Sequence, residues 1–404
     1  SYRKKTKNIF LYSINKSFYF KMYFWCKEKI KEDTMKKVGI LTIIDNNNYG
    51  NRLQNYAVQK ILKNNDIIPI TLRNLVGCNF QCKNMLLYFF KVIKSIYRFL
   101  KIEQGRIRRN LFGKNPMQGR QESFKSFNRN INFSKSLLLI SKSKNINKKY
   151  DYFITGSDQV WNPKFNRLSY VDLLGFATSD KRISFSASFG ISQLPEKYKE
   201  IASNELKKFK MISVREDAGK QIVEELTGRT DVEVLVDPTM LLTADEWDKV
   251  SKKPKQLHTD RYILNYFLGE LSEERKNEIN KIAKENNCEV INILDRNSPF
   301  YQTGPSEFLY LEKHAFLICT DSFHSSVFAI IYNRPFIVFD REDSNESMNS
   351  RLETLLKKFD LEDRKYTGVI TDDNLKYDYN QVYEILEKEN KKSMNFLKKA
   401  LDMK

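Results

Sequence analysis

The chain has 404 residues, 41% hydrophobic and 13% aromatic, with a formal net charge of +19; this suffices for a packed core in two or three domains and excludes wholesale disorder. No apolar run approaches the roughly 18–20 residues of a membrane-spanning helix. The five cysteines are scattered. The one close pair, Cys78 and Cys82, has no second pair or histidine beside it, so the pattern predicts a reducing compartment, no disulfide framework and no metal site.

The positive charge is concentrated early. Residues 1–34 hold 9 basic and 3 acidic groups, residues 35–150 hold 23 and 4, and residues 151–404 hold 37 and 43, giving +6, +19 and −6. Such an excess points to an anionic partner: nucleic acid, a membrane surface or phosphorylated substrates. Up to Thr34 the chain has neither helical nor strand period, and it lacks the apolar stretch and small-residue cleavage site of a signal peptide. From Met35, "MKKVGILTII" reads as the start of an α/β domain. Lys31-Glu32-Asp33 is compatible with AAG-GAG-GAT, a purine-rich ribosome-binding sequence just upstream of the Met35 codon. Residues 1–34 are therefore expected to be translated leader, or else a disordered basic arm.

Residues 38–44 are a continuous apolar run, the mark of a parallel strand buried on both faces. A loop follows at 45–51, then helical spacing over 52–63 and a second strand at 67–72. This β-loop-α-β unit begins a doubly wound sheet. Residues 84–112 form a long basic helix with Lys91, Lys94, Arg98 and Lys101 on one face. It is either a solvated face on a core-packed helix or a dock for an anionic membrane surface. Residues 113–150 are polar and read as irregular or one short helix. Strands follow at 152–155, 182–188, 211–214 and 232–235, with helices at 195–208 and 215–226. The second half repeats the theme: strands at 262–267, 289–294, 316–320 and 335–339, and helices at 272–286, 305–313, 322–332, 350–359 and 380–403. The predicted fold class is α/β, with two Rossmann-like domains facing a central cleft and a C-terminal helix closing back. The first domain spans 35–240 with a basic helical insertion at about 84–150, the second 241–379, and the closing helix 380–404.

The distinctive polar clusters all follow strand ends, where doubly wound sheets bind ligands. In "CTDSFHSSVFA" (319–329) a helix starting near Ser322 would offer free amides to an anion. Ser325 and Ser326 would add hydroxyls, and His324 would act as electrostatic clamp and candidate general acid. The plain alternative is a capped helix whose buried histidine is satisfied by Asp321. "GSDQVWNP" (156–163) sets Trp161, a stacking face for a sugar ring, among Asp158, Gln159 and Asn162, which would bond its rim; otherwise it is a turn anchored in the core by Trp161. "NNNYGNRLQNYA" (46–57) brings Asn51 and Gln54 to a helix start, to grip phosphates or hydroxyls or simply to turn. Arg215 in "ISVRED" would fork onto a carboxylate or phosphate, or pair with Glu216 or Asp217. No GxGxxG or Walker sequence is present.

Together and in this order, "YDYFITGSDQVWNP", "SFSASFG", "ISVREDAG", "VDPTMLL" and "TDSFHSSVFAIIYNRPFIVF" resemble the polysaccharide pyruvyl transferases, over roughly Met35 to the C-terminus. The resemblance implies a GT-B-like fold and a bacterial, cytoplasmic transferase. Its reaction would move the pyruvyl group of phosphoenolpyruvate onto a sugar of a capsule, exopolysaccharide or other cell-surface precursor, often as a ketal across two hydroxyls. No cofactor is implied: phosphoenolpyruvate is the donor substrate, a nucleotide- or lipid-linked sugar is the acceptor, and nucleic acid is not a partner. His324 would be general acid and phosphate contact, and Asp158 would orient or deprotonate the sugar hydroxyl. Arg215 would hold the donor, with Ser322, Ser325 and Ser326. The acceptor would meet Asn51, Gln54, Gln159, Trp161, Asn162 and Ser188. Where several family members carry Arg-Leu-His, this chain has Ser322-Phe323-His324; Arg351 and Arg334 are the candidates to supply the missing charge. Two other readings stay open: a GT-B-like glycosyltransferase using a nucleotide sugar, and a non-enzymatic basic module for membrane or nucleic acid. The chain shows no nucleic-acid reading motif or stacking platform.

Overall fold

A computed structural model of the protein describes residues 34–74, 116–138, 143–341, 350–376 and 380–403. The expected leader (Thr34 apart), the basic helix at 84–112 and the Cys78/Cys82 pair lie outside the described residues.

Two parallel sheets organise the chain. The first contains β1 (Lys37–Leu41), β2 (Ile68–Arg73), β3 (Phe133–Leu137), β4 (Tyr152–Thr155), β5 (Arg182–Ala187), β6 (Met211–Val214) and β7 (Glu233–Val234), in the order β3-β2-β1-β4-β5-β6-β7. The second contains β8 (Tyr262–Tyr266), β9 (Glu289–Asn292), β10 (Leu317–Thr320) and β11 (Phe336–Val338), in the order β11-β10-β8-β9. The central strands are nearly all apolar because helices cover both faces; every residue of β8 and β10 is buried. Strand order reverses between β1 and β4 in the first sheet, and between β8 and β10 in the second. Crevices form at the carboxyl ends of strands flanking such reversals.

The helices that position the site are α1 (Tyr49–Asn64), α2 (Pro116–Phe127), α3 (Glu196–Leu206), α4 (Asp217–Thr227), α5 (Glu273–Glu285), α6 (Pro305–His314), α7 (Phe323–Ile331), α8 (Ser350–Lys358) and α9 (Asn380–Ala400). The two halves share packed contacts. Tyr49 of α1 stacks on Phe308 of α6 with ring centroids 4.5 Å apart, and its hydroxyl donates to the Thr303 carbonyl at 3.0 Å. Arg120 of α2 is buried against Tyr49 and donates to carbonyls of both halves, Asn47 at 2.8 Å and Tyr301 at 3.2 Å. Helix α9 returns to the first sheet: Phe396 stacks on Phe185 of β5, and Lys392 donates to the Val234 carbonyl at 2.9 Å.

Local differences from expectation have local causes. Helix α1 begins at Tyr49 rather than at residue 52, because the Asn48 side chain caps it by accepting from the Asn51 amide at 3.2 Å. The stretch expected to be irregular or one short helix holds α2, β3 and a further short helix, Ser143–Asn147. Strand β3, "FSKSL", pairs with β2 at the edge of the sheet formed by the described residues, where half-polar alternation is tolerated.

Candidate active site

The two strand-order reversals face each other across a cleft of about 560 Å³, within the roughly 300–1,000 Å³ of small-molecule sites. On the first domain's side it is lined by Asp45 after β1, Asn48 and Asn51 at the start of α1, and Asp158 and Gln159 after β4. On the other side stand Leu268 after β8 and Ser322, Phe323 and His324 after β10, with Arg341 and Arg351 beside them.

The turn after β4 is fixed in an uncommon conformation. Gly156 has φ +122°, and Asp158 has φ +66°, where a non-glycine residue stays only if its surroundings hold it. Gln54 of α1 accepts from the Ser157 amide at 3.1 Å and donates to Thr42 Oγ1 at 2.7 Å. The Asp158 carbonyl accepts from the Ser188 amide at 3.0 Å. The Asp158 carboxylate thereby stands at the cleft, with Oδ1 3.4 Å from Arg215 Nη2.

Asp237, just after β7, ties the two domains' charged groups together. Its Oδ1 accepts from the Thr239 amide at 3.0 Å and hydroxyl at 2.8 Å. Its Oδ2 accepts from Arg215 Nη1 at 2.7 Å and Ser157 Oγ at 2.8 Å, and lies 3.6 Å from His324 Nε2. The last separation is too long for a hydrogen bond, so a protonated imidazole would act on the carboxylate through its charge. Burial alone would raise the pKa of this carboxyl. His324, Arg215 and the Thr239 amide outweigh burial and hold it well below the usual carboxylate range. Burial likewise works against the charge of Arg215, but Asp237, Asp158 and Glu216 outweigh it and raise its pKa. The Arg215 guanidinium lies 4.2 Å over the Phe323 ring. His324 Nε2 is buried and makes no hydrogen bond among the described residues.

Two further arginines complete the second domain's wall. Arg341 Nε is 3.0 Å from Asp321 Oδ2. Arg351 is pushed down to about 10 by burial and the charge of Arg215, against Asp158 and Glu216; it stays cationic at neutral pH. An anion in this cleft would relieve the repulsion among the arginines.

Of the residues singled out in the sequence, His324, Asp158, Ser322, Arg351, Asn51 and Gln159 line the cleft. Arg215 lies behind them on Asp237. Gln54, Asn162 and Ser188 are buried supports of the Asp158 turn: Asn162 donates to Gln159 Oε1 at 2.5 Å and accepts from the Lys164 amide at 2.9 Å. Other expectations are corrected. Trp161 is fully buried between Phe189 and Phe209, and its Nε1 donates to the Asp172 carbonyl at 3.2 Å, so its ring is core and not a sugar platform. The aromatic that this loop turns to the cleft is Phe165, 48% exposed. Ser325 donates to Glu312 Oε1 at 2.5 Å and Ser326 to the Ser322 carbonyl at 3.2 Å, so neither hydroxyl faces the cleft. Arg334 lies beyond the far end of α7, its amide donating to the Ala329 carbonyl at 2.9 Å. Asp321 accepts from the Leu268 and Gly269 amides, each at 2.7 Å, and is not the partner of His324.

Gly50, in the first turn of α1, carries a requirement the sequence did not announce. A Cβ there would lie 2.0 Å from His324 Nδ1. Gly50→Ala is expected to push the imidazole off Asp237 and cut turnover by about 100-fold, the scale set by a misplacement of about 1 Å. Initial-rate assays with a circular-dichroism check on folding measure this; unchanged turnover would mean the ring's seat against α1 is dispensable.

Glu312, fully buried beneath α7, has its carboxyl pKa driven well above 4.5 by burial, against the lowering effect of Ser325. The folded state therefore keeps it neutral while the unfolded chain ionises it above that value. Its contribution to stability is complete below 4.5 and is lost as pH rises toward the folded value. Glu312→Gln is expected to gain stability over wild type by up to about 1.4 kcal/mol per pH unit across that interval. Urea melts at several pH values measure the gap; a constant gap contradicts it.

Two doubly wound domains closing on a cleft with a histidine, a carboxylate pair and buried arginines make a two-domain α/β protein whose candidate site lies between the domains. The family model for polysaccharide pyruvyl transferases matches residues 48–344, and the chain belongs to that family, whose members are transferases. Among solved structures, one described as a UDP-N-acetylglucosamine 2-epimerase from Listeria monocytogenes is similar at TM-score 0.44 and 10% identity, over 90% of both chains. The UDP-GlcNAc 2-epimerase of Neisseria meningitidis aligns at TM-score 0.41 and 13% identity, over 89% of this chain and 94% of that one. ADP-heptose LPS heptosyltransferase II of E. coli aligns at 0.33 and 11%, over 89% and 100%. No curated protein matches the chain.

Proposed function

We propose that the protein transfers the pyruvyl group of phosphoenolpyruvate to a nucleotide- or lipid-linked sugar of a cell-surface polysaccharide precursor, forming a ketal. The observation that carries this reading is the meeting at one cleft of His324, Arg341 and Arg351 from the second domain with Asp158 from the first, and Arg215 stands behind Asp158 on Asp237. A small polyanion suits the arginine side. Ser322 makes no side-chain cap, so the first-turn amides of α7 add donors for its phosphate. His324 would deliver a proton to the vinyl carbon, leaving the central carbon electrophilic. A sugar hydroxyl oriented by Asp158 attacks that carbon, a second hydroxyl closes the ring, and inorganic phosphate departs. Donor plus two hydroxyls gives ketal plus phosphate, with no oxidant and no net water. Asn51, Gln159 and Phe165 would meet the acceptor. The donor is a cytoplasmic metabolite, so the cytoplasm is the compartment this reading requires; no helix among the described residues is long and apolar enough to cross a membrane.

A thermal-shift series tests the donor. Phosphoenolpyruvate at about 100 times its dissociation constant is expected to stabilise the protein by about 2.7 kcal/mol. Absence of stabilisation by phosphoenolpyruvate, alone and with a nucleotide sugar present, would remove it as the donor and leave the glycosyltransferase reading.

A further inference from the structure

A second cavity, about 410 Å³, opens at the carboxyl ends of β8 and β9, beneath α5. Asn265 of β8 and Asn292 of β9 are register partners, and with Asn280 of α5 they bring three amides to it. Phe267, Val290 and Leu294 supply apolar wall. Asn265 is 6% exposed, and its Oδ1 is buried with no hydrogen-bond partner among the described residues. A buried acceptor left unmet is destabilising. The strand thus carries an amide where an apolar side chain would be more stable, and a donor from a ligand would satisfy it.

The charges narrow the ligand. Lys276, at the cavity, already donates to Glu273 at 2.6 Å, and Asp295 Oδ1 accepts from the Asn297 amide at 2.9 Å. Lys276 and Asp295 put one charge of each sign at the cavity, a balance that does not select a phosphate. Amides that both donate and accept, set against apolar side chains, suit a neutral polyhydroxylated ring. The loop after β8 is a wall shared with the main cleft: Phe267 and Leu271 line the cavity while Leu268 lines the cleft. Asp321 clasps that loop through its Leu268 and Gly269 amides. We propose that this cavity is a saccharide subsite, holding a neutral sugar unit of the acceptor at a distance from the reacting sugar. The inference rests on the reading of the cleft as a site that modifies a sugar.

Calorimetry and saturation-transfer NMR of the full chain with cellotriose, maltotriose and chitotriose test it, with uridine monophosphate and inorganic phosphate as controls. Asn265→Leu removes the unmet acceptor and is expected to fold at least as stably as wild type, while Asn280→Trp fills the cavity from the exposed face of α5. At least one trisaccharide is expected to bind the wild type, with affinity falling about tenfold or more in both variants and unchanged in His324→Ala. Absence of trisaccharide binding, or binding that survives both variants, overturns the subsite. Binding of uridine monophosphate or phosphate that the two variants abolish overturns it in favour of an anion site. If variant-sensitive sugar binding is found but phosphoenolpyruvate is never consumed, the pyruvyl-transfer reading falls and the subsite stands.

Discussion

Alanine in place of His324 is expected to lower kcat by about 10²–10⁴-fold, the contribution of a positioned general acid. The reason is its place in the cleft. Its Nε2 lies 3.6 Å from Asp237 Oδ2 and has no hydrogen-bond partner among the described residues, so it keeps bonding capacity for a substrate. The ring is also held by close packing, since any side chain at Gly50 would collide with it. Loss of the ring leaves Asp237 its bonds to Arg215, Ser157 and Thr239, so the fold should persist. The donor KM should rise as well, because the imidazole is proposed to touch the phosphate. Steady-state kinetics at saturating acceptor, beside a thermal melt, measure this. A turnover within a few-fold of wild type would remove His324 from the chemistry.

Asp237→Asn is expected to cost about 3–5 kcal/mol of stability, the effect of removing one partner from a buried ion pair. Asp237 and Arg215 are both almost completely buried, so solvent cannot take over the charge left on the arginine, which keeps only its longer 3.4 Å contact to Asp158. The pH dependence follows from the depressed carboxyl. Its contribution is present above the ordinary value of 3.8 and is lost as pH falls below it, so the gap between wild type and variant should be full at neutral pH and shrink in acid. Turnover should fall too, because the same oxygen holds Arg215 and faces His324. Denaturant melts across the acid range test this; a gap that widens in acid would contradict the assignment of Asp237 as the ionised partner.

Much of the fold was legible because parallel strands covered on both faces must be apolar runs, and those runs stand out in β4, β8 and β10. Strand β3 was not, since an edge strand with alternating Ser and Lys looks like loop. The turn at His324 and the Asp158 turn were legible because both follow strand ends, where the topology puts ligands. Asp237 was missed for a specific reason. Asp-Pro reads as a local cap, and one carboxylate oxygen does cap the turn through Thr239. Its other oxygen meets Arg215 and Ser157 from two different strand ends and faces His324 from the opposite domain, a convergence only the folded chain displays. Trp161 erred in the opposite direction: a tryptophan among polar residues looks like a platform, but Phe189 and Phe209 close over it. Ser325 and Ser326 shared that fate, since successive helical residues point about 100° apart and a turn's start cannot be read as one surface.

The measurement that bears most directly on the function is product analysis. The full chain would be incubated with phosphoenolpyruvate labelled at its central carbon and with candidate sugar-linked acceptors, then followed by carbon NMR and a phosphate assay. The expected result is a labelled ketal carbon on the acceptor, with inorganic phosphate released in equal amount and both signals lost in His324→Ala. Intact phosphoenolpyruvate alongside glycosyl transfer from a nucleotide sugar would contradict pyruvyl transfer and assign the cleft to a different donor.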